Sequence, residues 1–384
     1  MRRTVFKVVL VVLVILGVVF ILTQLFTAYF VWGLSNRTDP RVSGEAFGKA
    51  SQAMAPRWFP DGDRIAFSHI GGVYVVDSDG SRVQLVHGGA LVRGGAREQE
   101  FAYGPSVSPD GSLLAYSAYS ESDGWEIVTA KPDGSNQRRL TDGDAPSTNP
   151  AWSPDATHIF FESSTNYVKG IYVTAVDGSG SSSVSKVVSV VGFPVDGSPV
   201  VSPDGSRLAF AVSVSPLARR LMYVVKTDGS GLVKIADETG LPAWSPDGRR
   251  IAFATRKVQG GYTPVAIFTV GVDGSEPREI FAFPDHPPHL GPAWVDSISW
   301  SPDGSDIVFG SIIIKADGSA MRSLPTPVND PSWSPDGSRI AVYTQRSEPG
   351  VVLYTVARDG SDGRILVEQN GDGSLVAAKG GPLK

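Results

Sequence analysis

Seven copies of one tight-turn motif divide most of this 384-residue chain into segments of similar length. The motif is Pro-Asp-Gly, with Ala in place of Gly in the third copy. Successive copies lie 49, 45, 49, 43, 56 and 33 residues apart. A period of about 40–50 residues indicates an architecture in which each copy is one supersecondary unit. The copies begin at Pro60, Pro109, Pro154, Pro203, Pro246, Pro302 and Pro335.

Each repeat has the same internal order of strands and turns. A short strand precedes the Pro-Asp-Gly turn, and an alternating strand such as Ile65-Ala66-Phe67 follows it. A third strand such as Ile171-Tyr172-Val173 leads to a second Asp-Gly pair, and a more polar fourth strand follows. Proline presets φ, Asp accepts a backbone hydrogen bond from two residues on, and Gly supplies positive φ. The pattern predicts an all-β protein, a β-propeller of seven blades or of six.

The sixth repeat is the place where the blade count is least secure. Only 14 residues separate Asp303 from the second-turn Asp317, so its middle hairpin must be tight, with Gly310-Ser311 as the turn. Five tryptophans share one repeat position before the first turn, and we expect them to pack between neighbouring sheets. They are Trp58, Trp152, Trp244, Trp300 and Trp333.

The repeat resembles that of the TolB family and of the propeller domains of prolyl-oligopeptidase and dipeptidyl-peptidase relatives. The resemblance rests on Trp-Ser-Pro-Asp-Gly, Ile-Ala-Phe and the later Ile-Tyr-Val with its Asp-Gly-Ser turn, over residues 53–370. It implies a propeller fold. TolB is typically six-bladed and periplasmic. We expect no counterpart here of its N-terminal α/β domain, or of the hydrolase domain of the peptidases.

The N-terminal segment differs from the repeats. Basic residues, Arg2, Arg3 and Lys7, precede an apolar run from Val8 to Trp32. As a helix those 25 residues exceed a hydrocarbon core of roughly 30 Å. A cleaved signal peptide is the alternative, but its apolar stretch spans only about 7–15 residues. The basic residues favour a cytoplasmic N-terminus and an extracytoplasmic propeller.

The predicted organisation therefore has four parts, in a single-pass membrane protein. Residues 1–34 form a cytoplasmic stub and a transmembrane helix, and residues 35–52 form a linker. Residues 53–370 form the propeller, and residues 371–384 form a flexible C-terminal tail.

Composition argues against several classes of function. A net charge of −5 disfavours nucleic acid as the partner, because such sites need a strongly basic face. The chain has no cysteine and no Gly-x-Ser-x-Gly nucleophile motif. The one close histidine pair, His286 and His289, makes a metal-dependent enzyme the alternative hypothesis. No cofactor is predicted.

Strand order indicates where a binding surface lies. Both turn motifs fall on one face, so the connections between second and third strands, and those between blades, lie on the opposite face, here called the variable face. Aromatic and arginine side chains are typical anchors of binding surfaces. The candidates in these loops are Arg93, Arg97, Tyr103, Tyr119, Trp125, Arg256, Tyr262, His286, His289 and Trp294.

These features predict a membrane-anchored, non-catalytic interaction module of the cell envelope. The partner would be a protein, a peptide or a glycan. The alternatives are a metal-dependent propeller enzyme of lyase or hydrolase type, and a structural subunit of an envelope complex.

Overall fold

The computed structural model describes most of the repeat region. The described residues are 56–88, 101–143, 145–165, 168–177, 184–190, 194–195, 197–214, 220–237, 239–256, 265–283, 298–324, 329–343, 350–371 and 374–382. The predicted stub, transmembrane helix and linker lie outside these ranges. Within them, no helix is long and apolar enough to cross a membrane.

The described strands form seven antiparallel sheets, each made of strands in sequence order. The first four blades are β1 (Arg57–Trp58), β2 (Arg64–His69), β3 (Gly72–Asp77), β4 (Val83–Gly88); β5 (Phe101–Val107), β6 (Leu114–Ser120), β7 (Gly124–Ala130), β8 (Arg138–Arg139); β9 (Ser147–Trp152), β10 (His158–Thr165), β11 (Val168–Ala175), β12 (Ser185–Val188); and β13 (Val200–Val201), β14 (Arg207–Ser213), β15 (Arg220–Lys226), β16 (Val233–Asp237). The last three are β17 (Ala243–Trp244), β18 (Arg250–Arg256), β19 (Val265–Gly271), β20 (Arg278–Ala282); β21 (Ile298–Trp300), β22 (Asp306–Phe309), β23 (Ile312–Lys315), β24 (Met321–Ser323); and β25 (Asn329–Trp333), β26 (Arg339–Tyr343), β27 (Gly350–Ala357), β28 (Arg364–Gln369), β29 (Leu375–Pro382).

The hydrophobic core lies between the blades. Seven buried clusters each combine residues of two neighbouring blades. One of them joins Ile65 and Phe67 of blade 1 to Ala341 and Leu353 of blade 7, so the ring is closed. The seven-blade prediction is confirmed, and blade 6 is complete because Phe309 pairs with Ile312 across the Gly310-Ser311 turn.

The first turn of each repeat is held by its own side chains. In blade 2, Ser108 Oγ donates to Asp110 Oδ1 at 2.6 Å and accepts from the Leu113 N–H at 2.9 Å. Asp110 Oδ1 also accepts from the Ser112 N–H at 3.0 Å. Comparable hydrogen bonds from Ser153 and Thr157 lower the pKa of Asp155 to about 2 in blade 3. The motif aspartates are turn formers, as expected.

The repeated tryptophans join neighbouring blades. Trp58 Nε1 donates to Ser332 O at 3.1 Å, across the closure between blades 1 and 7. Trp152 Nε1 donates to Ser106 O at 3.0 Å, and the same contact recurs for Trp244 and Trp300. These four indoles therefore each donate to a carbonyl of the preceding blade, whereas the buried Trp333 Nε1 makes no such hydrogen bond. The expected packing between sheets is confirmed.

The predicted flexible tail, 371–384, is wrong for most of its length. Leu375–Pro382 forms a fifth strand, β29, which pairs with β28 of blade 7. The N–H of Lys379 also donates to Gly80 O of blade 1 at 2.8 Å. Pairing satisfies the outer edge of β28, and Leu375 packs against the cluster between blades 7 and 1. The C-terminal strand thus adds to the sheet of blade 7 and bonds to blade 1, so it stabilises the contact that closes the ring.

Replacing Gly80 with Ala tests this fastening. A Cβ on Gly80 would lie 2.8 Å from Gly380 N and 3.2 Å from Leu366 Cα, whereas one on Gly62 would meet nothing within 4 Å. Both glycines have positive φ, so the conformational strain is shared. We expect Gly80→Ala to lower the free energy of unfolding by about 1–2 kcal/mol more than Gly62→Ala in urea titrations.

The control is a chain that ends before β29. There the difference between the two substitutions should shrink, because the contact with Gly380 N of β29 is gone while the contact with Leu366 Cα of β28 remains. A difference that stays as large without β29 would contradict the role given to the C-terminal strand.

Candidate functional site

The structure describes only some of the predicted variable-face residues. Tyr103 lies in β5, Tyr119 near the end of β6 and Trp125 near the start of β7. Arg256 ends β18, where its backbone pairs with Val265. The other candidates lie outside the described residues and stay predictions: Arg93, Arg97, Tyr262, His286, His289 and Trp294.

The three described aromatic candidates converge on blade 2. Tyr119 and Trp125 face each other across the β6–β7 hairpin with ring centroids 5.1 Å apart. Tyr103 meets Trp125 edge-on at 4.8 Å. Phe101, which the sequence did not single out, extends the group to Tyr119 at 6.2 Å. Its signal was readable, since Phe101 lies two residues before Tyr103 and so shares its face of a strand. We call these four residues the aromatic cluster.

The residues of the aromatic cluster differ in burial: some form a buried base, and Tyr119 forms an accessible edge. Trp125 is 8% exposed, so it is mainly a packing residue at the start of a strand. Burial, aided by the charge of Glu162, raises the pKa of the Tyr103 hydroxyl well above its ordinary value. Tyr119 is half-buried and contributes the accessible edge. Tilted ring contacts with Trp125 and Phe101 hold the Tyr119 side chain in place.

Charged residues hold the hairpin that carries this edge. Arg139 Nη1 lies 2.6 Å from Asp123 Oδ2, and Arg139 Nε lies 3.1 Å from Glu126 Oε2. Ser122 Oγ donates to Asp123 Oδ2 at 2.7 Å, and with Arg139 it lowers the pKa of Asp123. The β6–β7 hairpin is therefore tied to β8, which makes the variable end of blade 2 a rigid support.

A polar group lies beneath the aromatic cluster, between blades 2 and 3. The N–H of Asn149 donates to Ser117 Oγ at 3.0 Å, and its Nδ2 donates to Glu162 Oε2 at 3.1 Å. Asn149 has φ of 59°, a left-handed conformation that asparagine tolerates better than most residues. Lys169 Nζ lies 3.8 Å from Glu162 Oε1. These contacts set the backbone where the first strand of blade 3 meets the central channel.

The central channel is a cavity of about 620 Å³ lined by the first strands and first turns of the blades. Among its described lining residues, Arg57 is the single charged side chain. Prolines occupy one repeated position, two residues before the tryptophan position, and bring no N–H to the wall. These prolines are Pro105, Pro150, Pro199, Pro242 and Pro331. The regular spacing of these prolines is visible in the sequence. Their position on the channel wall is not, because the channel exists only once the blades have closed into a ring.

Comparison with protein families now adds to the geometry. The model of the TolB beta propeller domain matches residues 124–377, about two thirds of the chain. This chain belongs to the TolB β-propeller domain family. The recurring turns, the inter-blade tryptophans and the family match therefore agree on one fold.

Relatives of this TolB-like propeller are distant. A Tol-Pal system protein TolB from Anaeromyxobacter dehalogenans is 29% identical over 117 residues, 30% of this chain and 25% of that protein. The match thus spans a quarter of that relative's length. A structure assigned to TolB of Agrobacterium tumefaciens is 23% identical, with a TM-score of 0.50 over 71% of this chain and 90% of the other.

A second structural neighbour is an enzyme. An oligogalacturonate lyase in complex with manganese is 13% identical, with a TM-score of 0.57 over 78% of this chain and 87% of the other. At such identity the likeness shows the fold alone. In the described part of the TolB-like propeller, no group of three or more His, Asp or Glu residues is placed to hold a metal ion. The hypothesis of a metal-dependent enzyme concerned His286 and His289, outside that part, and stays a hypothesis.

Proposed function

We propose that this TolB-like propeller is a non-catalytic interaction module of the cell envelope that captures a protein, peptide or glycan partner. The aromatic cluster carries the proposal. It gathers Tyr103, Tyr119 and Trp125, three residues singled out as anchors, with Phe101 on one blade. Aromatic side chains with a buried base and an accessible edge supply binding area at low entropic cost.

The contacts that hold the aromatic cluster in place make it a rigid surface for binding a partner. Asp123, Glu126 and Arg139 hold the β6–β7 hairpin. The hydrophobic clusters on either side of blade 2 hold that blade between blades 1 and 3. A preorganised surface loses little conformational entropy on binding. The channel, with Arg57 as its charged lining residue, offers a second contact for a partner that covers the ring.

The proposed location rests on the sequence and on the relatives. The apolar run from Val8 to Trp32 would anchor the chain, and the basic residues before it favour an extracytoplasmic propeller. A relative bears the name Tol-Pal system protein TolB, which fits a place in the envelope. Protease protection of the propeller in sealed inside-out membrane vesicles tests this orientation, since an extracytoplasmic domain lies inside such vesicles and is cut only after the membrane is opened.

Capture of a partner is tested by cross-linking in membranes with the full chain. We expect Tyr119→Ala to reduce the yield of a specific cross-linked species at least about fivefold, because the accessible edge of the aromatic cluster is lost. Met321→Ala is the control, since Met321 is 48% exposed on β24 of blade 6. Equal yields from Tyr119→Ala and the unaltered chain would contradict the proposed surface. A stoichiometric complex that survives purification would favour the structural-subunit alternative.

A further inference from the structure

The hairpin between β2 and β3 of blade 1 has an unusual residue in its turn. The two strands pair as far as His69 and Gly72, so two residues form the loop. They are Ile70, with φ of 41°, and Gly71, with φ of 73°. A two-residue turn with positive φ at both positions strongly favours asparagine, aspartate or glycine at the first of them. A β-branched residue in this left-handed conformation is an outlier, so the backbone of Ile70 is strained.

Blade 6 provides a comparison within the same chain. Its middle hairpin also has a two-residue turn, Gly310-Ser311. The first position there is a glycine with φ of 49°, which adopts this conformation without a steric penalty. The propeller fold therefore does not require isoleucine at the first position of such a turn.

Burial of the Ile70 side chain does not explain this choice of residue. Ile70 is 39% exposed, whereas Ile65 in the same strand is fully buried. Six large apolar side chains are exposed in the described part of the chain, and the other five lie on or beside the outer strands of blades. Those five are Leu85, Leu232, Val233, Met321 and Val376. Ile70 alone of the six lies at a hairpin of the variable face, and strained residues concentrate at functional sites.

The turn that carries Ile70 adjoins the aromatic cluster. Gly71 is so close to blade 2 that a Cβ on this glycine would lie 2.7 Å from Phe101 Cδ1. The N–H of Ala102 donates to Gly71 O at 2.7 Å, which ties the turn to blade 2. Phe101 also contacts Tyr119, with ring centroids 6.2 Å apart. Ile70, Phe101 and Tyr119 thus belong to one surface across blades 1 and 2, here called the apolar patch.

The chemistry of the apolar patch distinguishes between classes of partner. Ile70 and Phe101 have no hydrogen-bonding side-chain group, so sugar hydroxyls placed against them would lose water without compensation. An aliphatic or aromatic side chain loses no polar contact there and gains the free energy of apolar burial. Because the turn is already tied to blade 2, little conformational entropy is lost on binding. The patch therefore suits an apolar side chain better than a glycan.

We propose that the apolar patch binds an aliphatic or aromatic side chain of a protein or peptide partner, and that the strained turn serves to present Ile70 to it. The inference rests on the proposed function and narrows it, since a glycan is no longer a partner. Ile70→Asn separates a binding role from a structural one, because asparagine suits the turn but lacks the apolar side chain. Loss of a binding residue weakens binding and leaves the melting temperature unchanged or higher, whereas loss of a packing residue lowers the melting temperature.

The probe is a phage-displayed library of random linear peptides, selected on the purified full chain. Enriched peptides are then synthesised with a fluorescent label, and their binding is measured by anisotropy. We expect replacement of one apolar residue by Ser in an enriched peptide to weaken binding at least about tenfold. Ile70→Asn should weaken binding of the original peptide at least about fivefold. It should change binding of the Ser-substituted peptide little, because the two altered residues contact each other.

Gly310→Ile is the matched control, because it introduces the strained isoleucine turn into blade 6. A Cβ on Gly310 would meet nothing within 4 Å, so backbone strain alone should lower the melting temperature, by about 2–3 °C. Peptide binding should stay as in the unaltered chain, since blade 6 contributes no residue to the apolar patch.

Several results would overturn the inference. One is equal binding of the enriched peptides to Ile70→Asn and to the unaltered chain, and another is a melting temperature that falls together with binding in Ile70→Asn. Failure to enrich any peptide, or binding that depends on no apolar residue of the peptide, would also overturn it. A dimer in sedimentation that Ile70→Asn dissociates would overturn it in favour of a second copy of this chain.

The outcomes separate this inference from the proposed function. If Tyr119→Ala lowers the cross-linking yield while Ile70→Asn leaves that yield and peptide binding unchanged, only the role of Ile70 is refuted. If peptide binding depends on Ile70 but the cross-linking yield is unaltered in both variants, the proposed capture surface is refuted and the peptide site remains.

Discussion

Replacing Asp306 with Ala will lower the free energy of unfolding by about 3–5 kcal/mol, the usual cost of removing one partner from a buried ion pair. The Asp306 side chain is fully buried between blades 6 and 7. Its Oδ2 lies 2.6 Å from Arg358 Nη2, a residue of blade 7, and 3.5 Å from Arg322 Nη2. Its Oδ1 lies 3.0 Å from Lys315 Nζ. Without the carboxylate, three cations face one another with less compensation.

Urea unfolding at neutral pH measures this loss. Burial would raise the pKa of Asp306, but hydrogen bonds from Lys315 and Arg358 and the charges of Arg358 and Arg322 hold it below its ordinary value. The charged form is therefore the stable one, and Asp306→Asn should cost nearly as much as Asp306→Ala. Asp237→Ala, at an exposed ion pair 3.1 Å long, should change stability by no more than about 0.5 kcal/mol.

A reversal of charge gives the sharpest form of this test. Blades 1, 4, 5 and 7 have arginine at the position of Asp306, and in blade 7 Arg339 bonds to Thr355 and Asp362 of its own blade. Restoring the common residue with Asp306→Arg would place a fourth cation among three. We expect it to be the least stable of the Asp306 variants. Stability equal to that of the unaltered chain would show that the carboxylate has no such role.

The contrast between Asp306 and the turns shows what the sequence could predict. Each first turn depends on residues within six positions, such as Ser108 with Asp110, so the seven repeats and their strand order were readable. The pairing of Asp306 with Arg358 joins residues 52 positions apart on different blades. No local pattern encodes that contact, since it exists only after the ring has formed.

The C-terminal strand and the candidate site also show that the sequence predicts local contacts and not contacts between distant residues. Residues 375–382 have a short apolar pattern that predicts little alone, and their strand depends on the edge of β28 and on Gly80. The convergence of Tyr119 with Trp125 was close to local, because both belong to one hairpin. Glu126 drew no attention in the sequence, because its burial depends on packing against blade 1. Comparison of equivalent repeat positions was the signal that could have found it.

His69 should make the free energy of unfolding depend on pH between about 6.5 and about 4. The ring is 3% exposed at the closure between blades 1 and 7, and its Nδ1 lies 3.0 Å from the Tyr343 hydroxyl. Burial lowers the pKa of His69 from 6.5 to about 4. Between these values the unfolded chain binds the proton that the folded chain excludes, so stability falls as pH drops from about 6.5 to about 4. The loss from this one group reaches about 3 kcal/mol.

Urea titrations at several pH values between 4 and 7.5 measure this slope. Aspartates such as Asp155, whose pKa is lowered to about 2, lose their contribution to stability only below about pH 4. They therefore do not add to the slope between pH 4 and 6.5. In His69→Phe the slope between pH 6.5 and 4 should shrink by the share that His69 contributes, because no proton can be taken up at that position. His158→Gln removes an exposed histidine at the start of β10 and should retain the slope. A slope that survives His69→Phe unchanged would mean that the buried ring is not its cause, and that protonation elsewhere weakens the closure of the ring.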